Sequence, residues 1–153
     1  MSFISASFMP RVVTAGVPMP PSGTVRGAIG RSERDRKKMA LVEDGRGKHA
    51  VTHYKTLETF TGASLVECRL ETGRTHQVRV HLAASGHALL GDPVYGRTHQ
   101  RHHALLTQLH FTRQALHAAV LGFIHPITGV AVRFESTLPA DMAGLLVELG
   151  NQS

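Results

Sequence analysis

The chain has 153 residues, 42% of them hydrophobic and 18% charged, which is one domain's worth of globular protein. Its formal net charge is +6 with its 11 histidines neutral, a balance that suits a polyanionic partner because Lys and Arg displace counterions condensed on phosphates. Cys68 is the single cysteine, which excludes an intrachain disulfide, and no apolar run approaches the length of a membrane-spanning helix. The start, MSFISASFMPRVV, has neither a basic n-region nor a sustained apolar stretch. No signal peptide is therefore expected, and the expected location is cytoplasmic.

In chain order, residues 1–10 carry little pattern. A short apolar run at Val12-Val13 leads into a turn-rich segment, Gly16-Val-Pro-Met-Pro-Pro-Ser-Gly23. Gly27 and Gly30 precede a charge run, Arg31-Ser-Glu-Arg-Asp-Arg-Lys-Lys38, with five cations and two anions in eight residues. It reads as an exposed loop or short helix, followed by turn residues at Asp44-Gly45 and Gly47. Residues 50–60 are rich in β-branched and aromatic types, and residues 64–70 alternate, with Val66, Cys68 and Leu70 on one face and Glu67 and Arg69 on the other. These predict an antiparallel hairpin turning at Thr61-Gly62.

The pattern from Thr75 to Ser85 predicts a short helix, capped by Thr75 and ended by Gly86 in a left-handed conformation. On such a helix Arg79 shares a side with Thr75. A helical turn is expected around Ala104–Leu109. Residues 115–125 are apolar on both alternating faces, as in a strand covered on both sides. Pro126-Ile-Thr-Gly129 is a turn, and Val130–Thr137 alternates with Val132 and Phe134 on one side, making a second hairpin. Pro139–Leu149 closes the chain as an amphipathic helix with Pro139 near its start. Grouped strands with few intervening helices predict an α+β fold.

The most specific pattern lies in residues 71–96, ETGRTHQVRVHLAASGHALLGDPVYG. A Gly-Arg-Thr-His-Gln-x-Arg-x-His run followed by Gly-His-x-Leu-Leu-Gly-Asp-Pro-x-Tyr-Gly resembles the C-terminal half of an RluA-type pseudouridine synthase. The pieces Ile29-Gly-Arg31, Asp35-Arg-Lys-Lys-Met39, Ala50-Val-Thr-His-Tyr54, Gln114-Ala-Leu-His117 and Leu138-Pro-Ala-Asp-Met142 follow in the family's order, so the resemblance runs from about Gly16 to Leu146. It divides the chain into an atypical start, 1–15, and half of a catalytic domain, 16–150.

The resemblance implies a mixed, mostly antiparallel sheet around an RNA-binding cleft. It also implies isomerisation of uridine in ribosomal or transfer RNA, with no cofactor or metal. The partner would be structured RNA, with neither DNA nor a membrane involved. In the family an aspartate acts on a uridine that has left its stack, a movement costing a few kcal/mol. By position, Arg79 matches the residue that pairs with that aspartate and would keep it ionised. Arg74, His76 and Gln77 match the rest of the motif, and would touch the RNA backbone or order the cleft wall. Arg31, Arg34, Arg36, Lys37 and Lys38 are candidates for phosphate contacts.

The chain departs from the family in two places. Its four aspartates are Asp35, Asp44, Asp92 and Asp141, and none stands in the family's His-Arg-Leu-Asp context. Asp92 instead suits a turn in which it bonds local backbone. Counting back from Gly16 to the family's tyrosine reaches Pro10. The chain alone is therefore expected to be inactive, with the missing N-terminal half supplied elsewhere if at all, and with open sheet edges prone to association. A non-catalytic RNA-binding remnant is the alternative. His99, His102, His103 and His110 prompt a metal-binding reading, but their loose spacing lacks a matching Cys or carboxylate cluster, and a polar loop is the expectation.

Overall fold

The computed structural model describes residues 6–96 and 101–152, so His99 lies outside the described residues. The central element is one antiparallel sheet. Its strands are β1 (Ala6–Ala15), β2 (Ser22–Arg26), β5 (Val51–Phe60), β6 (Ala63–Leu70), β7 (Leu116–Ile124) and β8 (Ala131–Glu135). They lie in the order β2-β5-β6-β1-β7-β8. A separate hairpin joins β3 (Ala28–Arg31) to β4 (Met39–Val42). Three helices complete the fold: α1 (Gln77–Ala84), α2 (His103–Gln108) and α3 (Ala140–Asn151). The α+β class and both expected hairpins, β5–β6 and β7–β8, are present. Every pairing between the named strands is antiparallel.

The first expectation to fail concerns the start of the chain. Residues from Ala6 onward carry little pattern and yet form a strand. They begin β1, which lies inside the sheet and pairs with β6 on one side and β7 on the other. Val12, Val13, Thr14 and Ala15 are all buried, because this stretch is covered on both faces. A strand covered on both faces shows no alternation to read. Pro10 survives in an inner strand because the β1–β7 register shifts between Met9 and Pro10. Such a bulge is one of the few places in a sheet that tolerates a residue without an N–H.

The two faces of the sheet carry different cores. On one, Val12, Val66 and Cys68 meet Val78 and Leu82 of α1 and Leu89 beyond it. Burial pushes the Cys68 thiol up to about 12, with the neighbouring Glu67 charge adding to the effect, so Cys68 is an inert core residue. On the other face, Val13, Ala15, Ala63 and Leu65 pack against Phe111 and against Met142, Leu145 and Leu149 of α3. Pro139 takes the N-cap position of that helix, where its fixed φ and missing N–H cost nothing. Truncating Leu145 to alanine is expected to cost about 2–5 kcal/mol, read as a shift of the urea midpoint. A smaller cluster, Ile29, Ala50 and Val80, fastens the β3–β4 hairpin to the far side of α1.

Candidate nucleic-acid interface

Helix α1 starts later than its apolar spacing predicts, and the delay shapes the site. Thr75 is exposed and does not cap the helix. Arg74 to Gln77 forms a turn, closed by the Gln77 N–H donating to the Arg74 carbonyl at 3.0 Å. His76 occupies its third position with φ of 57°. A non-glycine residue at positive φ is strained and is commonly held in place by its surroundings at functional sites. Gln77 supplies part of that hold. Its Oε1 accepts the Arg74 N–H at 3.0 Å and the Thr72 hydroxyl at 2.6 Å, while its Nε2 donates to the Val51 carbonyl and to Thr52 Oγ1, both at 2.9 Å. Gln77 is 2% exposed. Its side-chain oxygen and nitrogen are both engaged within the chain, which agrees with the second of the two expectations for it, ordering the wall.

The same network continues inward to His81, which is fully buried. Its Nε2–H donates to the Gly27 carbonyl at 3.1 Å, so Nδ1 must accept the Thr52 hydroxyl at 2.8 Å. Burial holds the His81 pKa below its ordinary range, against the opposing pull of the Gly27 carbonyl. The folded chain thus binds this proton less readily than the unfolded chain. Stability is full above the ordinary histidine range and falls as pH drops through it. The urea midpoint is expected to be level between pH 8 and 7 and to decline below about 6.5. A midpoint unchanged down to pH 5 would rule this contribution out.

Arg79 lies one turn along α1. Its Nε and Nη2 donate to Asp92 Oδ2 and Oδ1 at 2.8 and 2.9 Å, a bidentate pair with the carboxylate fully buried. Asp92 Oδ1 also accepts the Val94 and Tyr95 N–H groups at 2.9 and 3.1 Å, the local turn that its sequence context implies. Burial alone would raise the Asp92 pKa. The guanidinium and the two backbone N–H groups outweigh it and hold the pKa below the usual carboxylate range. Reciprocally, the bond to Asp92 raises the Arg79 pKa. No described hydrogen bond engages Nη1, and Arg79 lines a cleft of about 370 Å³ together with Phe8, Pro10, Arg74, His76 and Leu116. The position where the resemblance implies a tyrosine is thus on the cleft floor, occupied by Pro10.

Tyr95 ties these parts together. Its ring lies 5.1 Å from the Arg79 guanidinium carbon and edge-on to the His76 ring at 5.7 Å. Its hydroxyl accepts the Met39 N–H at 3.0 Å and shares a second hydrogen bond with His76 Nδ1 at 2.9 Å, whose direction follows the histidine tautomer. Burial, with the Arg79 charge adding to it, lowers the His76 pKa and so favours the neutral ring. Removing the hydroxyl with Tyr95→Phe leaves the half-buried Met39 amide unpaired. The expected loss is about 1–3 kcal/mol, with faster hydrogen exchange at Met39 as the local readout.

A second cavity, of about 500 Å³, adjoins the first and is lined by Arg31, Arg46, Lys48 and Arg74 among glycine backbone at Gly30, Gly45, Gly47 and Gly73. Arg74 lines both cavities, with its Nε–H donating to the His49 carbonyl at 2.8 Å. Gly47 is required by close approach, since a Cβ there would lie 2.5 Å from the Ile29 carbonyl oxygen. Arg46 also pairs with Glu33 across the hairpin. Arg46 and Lys48 were missed in the sequence. The signal was Gly45-Arg-Gly-Lys48, two cations set between glycines, where backbone and charge can approach a phosphate together.

The structure divides the charge run. Arg31 ends β3 and faces the basic cavity, and its Nη1 donates to the Arg36 carbonyl at 3.3 Å. Arg34, Arg36 and Lys37 are exposed in the β3–β4 loop, with no helix there. Lys38 is half-buried and donates to the Val94 carbonyl at 3.4 Å, so it anchors the hairpin to the Asp92 turn. Of the histidines, His102 donates to the Gly62 carbonyl and His110 takes a positive φ of 54°. Among the described residues no three His, Cys, Asp or Glu side chains converge as metal ligands would, and no helix is long and apolar enough to cross a membrane.

Comparison with known proteins gives a consistent picture. The family described as RNA pseudouridylate synthase matches residues 10–84. Ribosomal large subunit pseudouridine synthase D of Zymomonas mobilis is 62% identical over 120 residues, covering 78% of this chain and 38% of that relative. An uncharacterised RNA pseudouridine synthase of Bacillus subtilis is 50% identical over 127 residues, covering 83% of this chain and 39% of its own length. Among solved structures, human RNA pseudouridylate synthase domain containing 4 superposes with a TM-score of 0.71 at 26% identity, covering 94% of this chain and 62% of the human chain. The chain thus spans about two fifths of the length of the curated relatives cited. The family match begins at the bulge of β1 and ends with α1, so it takes in Arg74, His76, Gln77 and Arg79, and on these grounds the chain belongs to the RNA pseudouridylate synthase family.

Proposed function

We propose that this chain binds structured RNA, ribosomal RNA by preference, and forms one wall of a uridine-isomerising cleft whose acting carboxylate comes from polypeptide outside these residues. The observation that carries the reading is the adjacency of the two cavities. Four cations and glycine backbone surround one of them, Arg79 stands fixed in the other, and Arg74 borders both. Phosphates in the basic cavity would leave a flipped-out base facing the apolar floor of Phe8, Pro10 and Leu116, beside the His76 ring and the Arg79 Nη1 donor.

The chain's own aspartates are placed for other work. Asp92 is buried behind Arg79, Asp141 pairs with Arg113, Asp35 accepts the Lys37 N–H, and Asp44 sits in an exposed turn. In the family chemistry a carboxylate acts while the base detaches, turns and rejoins through carbon 5, and Arg79 Nη1 is the donor left to aim it.

A second reading, RNA binding without isomerisation, is favoured by Pro10, which offers the base no aromatic ring to stack on. Tritium release from RNA labelled at uridine carbon 5 separates the two. The chain alone should release none. Mixing it with the part of the Zymomonas mobilis relative that it does not cover should restore release if the first reading holds. Tight RNA binding with no release from that mixture would leave the second.

A further inference from the structure

We propose that β8 is a self-association edge, through which two copies of the chain pair antiparallel about a two-fold axis at Phe134. The inference is independent of the RNA-binding reading and starts from hydrogen-bond parity. Strand β8 is the last in the sheet order. At its two ends the Ser136 N–H donates to the Ala119 carbonyl at 2.8 Å, and the His125 N–H donates to the Val130 carbonyl at 2.9 Å. In an antiparallel ladder the bonded residues alternate, so the even-numbered residues of β8 spend their backbone groups on β7. The N–H and C=O groups of Ala131, Arg133 and Glu135 therefore point away from the sheet, along an exposed edge.

The side chains on that edge select a register. Outward-facing residues must pair with outward-facing residues, so the two-fold axis passes through one residue position. At Arg133 it would set two guanidinium groups face to face, and at Glu135 two carboxylates. At Phe134 it places Arg133 opposite Glu135 of the partner subunit, and by symmetry the same pair forms again. Opposite charges directly across a ladder stabilise it, and like charges oppose it. Arg133 and Glu135 already pair within the strand at 2.7 Å, each about two-thirds exposed, so the dimer would gather the four charges into one cluster.

The other face of the strand adds apolar contact. Phe134 is 55% exposed and its ring stacks on Phe123, with centroids 6.0 Å apart. At a non-hydrogen-bonded antiparallel pair the two Phe134 Cα atoms would approach to about 4.5 Å, joining four rings in a row. A second copy thus satisfies the backbone, the charges and the exposed aromatic face of this edge together. This arrangement is isologous and closes at two subunits.

Because Cys68 is buried and inert, a single introduced cysteine reports the register. Phe134→Cys should give a disulfide-linked dimer under mild oxidation of the 153-residue chain. Val132→Cys should not, since its two copies would lie about 13 Å apart along the ladder. Sedimentation equilibrium should show a monomer–dimer equilibrium for the unmodified chain. Arg133→Glu should weaken it by about tenfold, and the double swap Arg133→Glu/Glu135→Arg should restore it. A chain that stays monomeric at millimolar concentration would overturn the proposal. So would equal cross-linking of the two cysteine variants, or association indifferent to the charge swap.

Discussion

Replacing Arg79 by methionine is expected to cost about 3–5 kcal/mol, because it strands the Asp92 carboxylate in a fully buried position. Net stabilities of single domains are only about 5–15 kcal/mol, so this one change would remove a large part of the total. Asp92→Asn should cost less. The amide keeps an oxygen for the Val94 and Tyr95 N–H groups, and the guanidinium, which lines the cleft, can recruit water. The double variant should recover part of the Arg79→Met loss, since neither charge is then left alone. The pH dependence has a defined sign. Asp92 has a depressed pKa in the folded chain, so the pair's contribution is present above the ordinary carboxylate range and disappears as pH falls through the folded value. Urea titrations at pH 7 and pH 3 test this, with the gap between the variant and the unmodified chain narrowing at the lower pH. A loss below about 1 kcal/mol at pH 7 would mean that the pair resembles an exposed salt bridge and does not fix the cleft.

The second large effect is expected in RNA binding. Arg31, Arg46, Lys48 and Arg74 line one cavity, and each phosphate neutralised contributes about −0.7 to −0.9 to the slope of log affinity against log salt. Converting all four to alanine should flatten the slope by about 3 and weaken binding by several orders of magnitude at low salt. The loop cations Arg34, Arg36 and Lys37, exposed beyond the cavity, should add to the slope independently. An unchanged slope in the four-residue variant would place the phosphates elsewhere on the molecule.

Much of the fold was legible wherever one face of an element meets solvent. Helix α3 and the two hairpins β5–β6 and β7–β8 announced themselves by period, and Gly86, with φ of 87°, ends α1 as its position implied. Strand β1 did not, because its buried half is covered on both faces and alternation vanishes there. The charge run was legible as exposed, but not the inward turn of Lys38 toward the Val94 carbonyl.

At the site, Arg74, His76, Gln77 and Arg79 of the motif line one cleft, while spacing misplaced the start of the helix that carries them. A helix starting at Thr75 would have set Thr75 and Arg79 on one side. The left-handed His76 interrupts that projection, held between local hydrogen bonds of Thr72, Arg74 and Gln77 and the remote Tyr95, which no local window contains. Long-range pairs were the least legible. Nothing in the neighbourhood of Met39 indicates that its amide meets Tyr95, and nothing beside Arg46 and Lys48 indicates that the chain returns to set them against Arg74.

The site also explains how a basic hairpin could report to the cleft. Met39 begins β4, its N–H rests on the Tyr95 hydroxyl, and the same ring packs on Arg79 and His76. A shift of the hairpin on binding RNA would thus be felt at both cleft residues through one side chain. Tyr95→Phe should leave the salt slope intact while loosening this link, and that separates it from the charge variants.

Photo-cross-linking tests the central claim most directly. An RNA stem-loop carrying one 4-thiouridine at an unpaired position is irradiated with the chain, and the attached peptide is sequenced. Attachment at the cleft floor, within residues 8–11 or 114–118, and its loss when Arg74 and Lys48 are both replaced by alanine, is the predicted result. Attachment confined to the β7–β8 hairpin or to α3, or attachment indifferent to those two cations, would contradict the placement of the base beside Arg79.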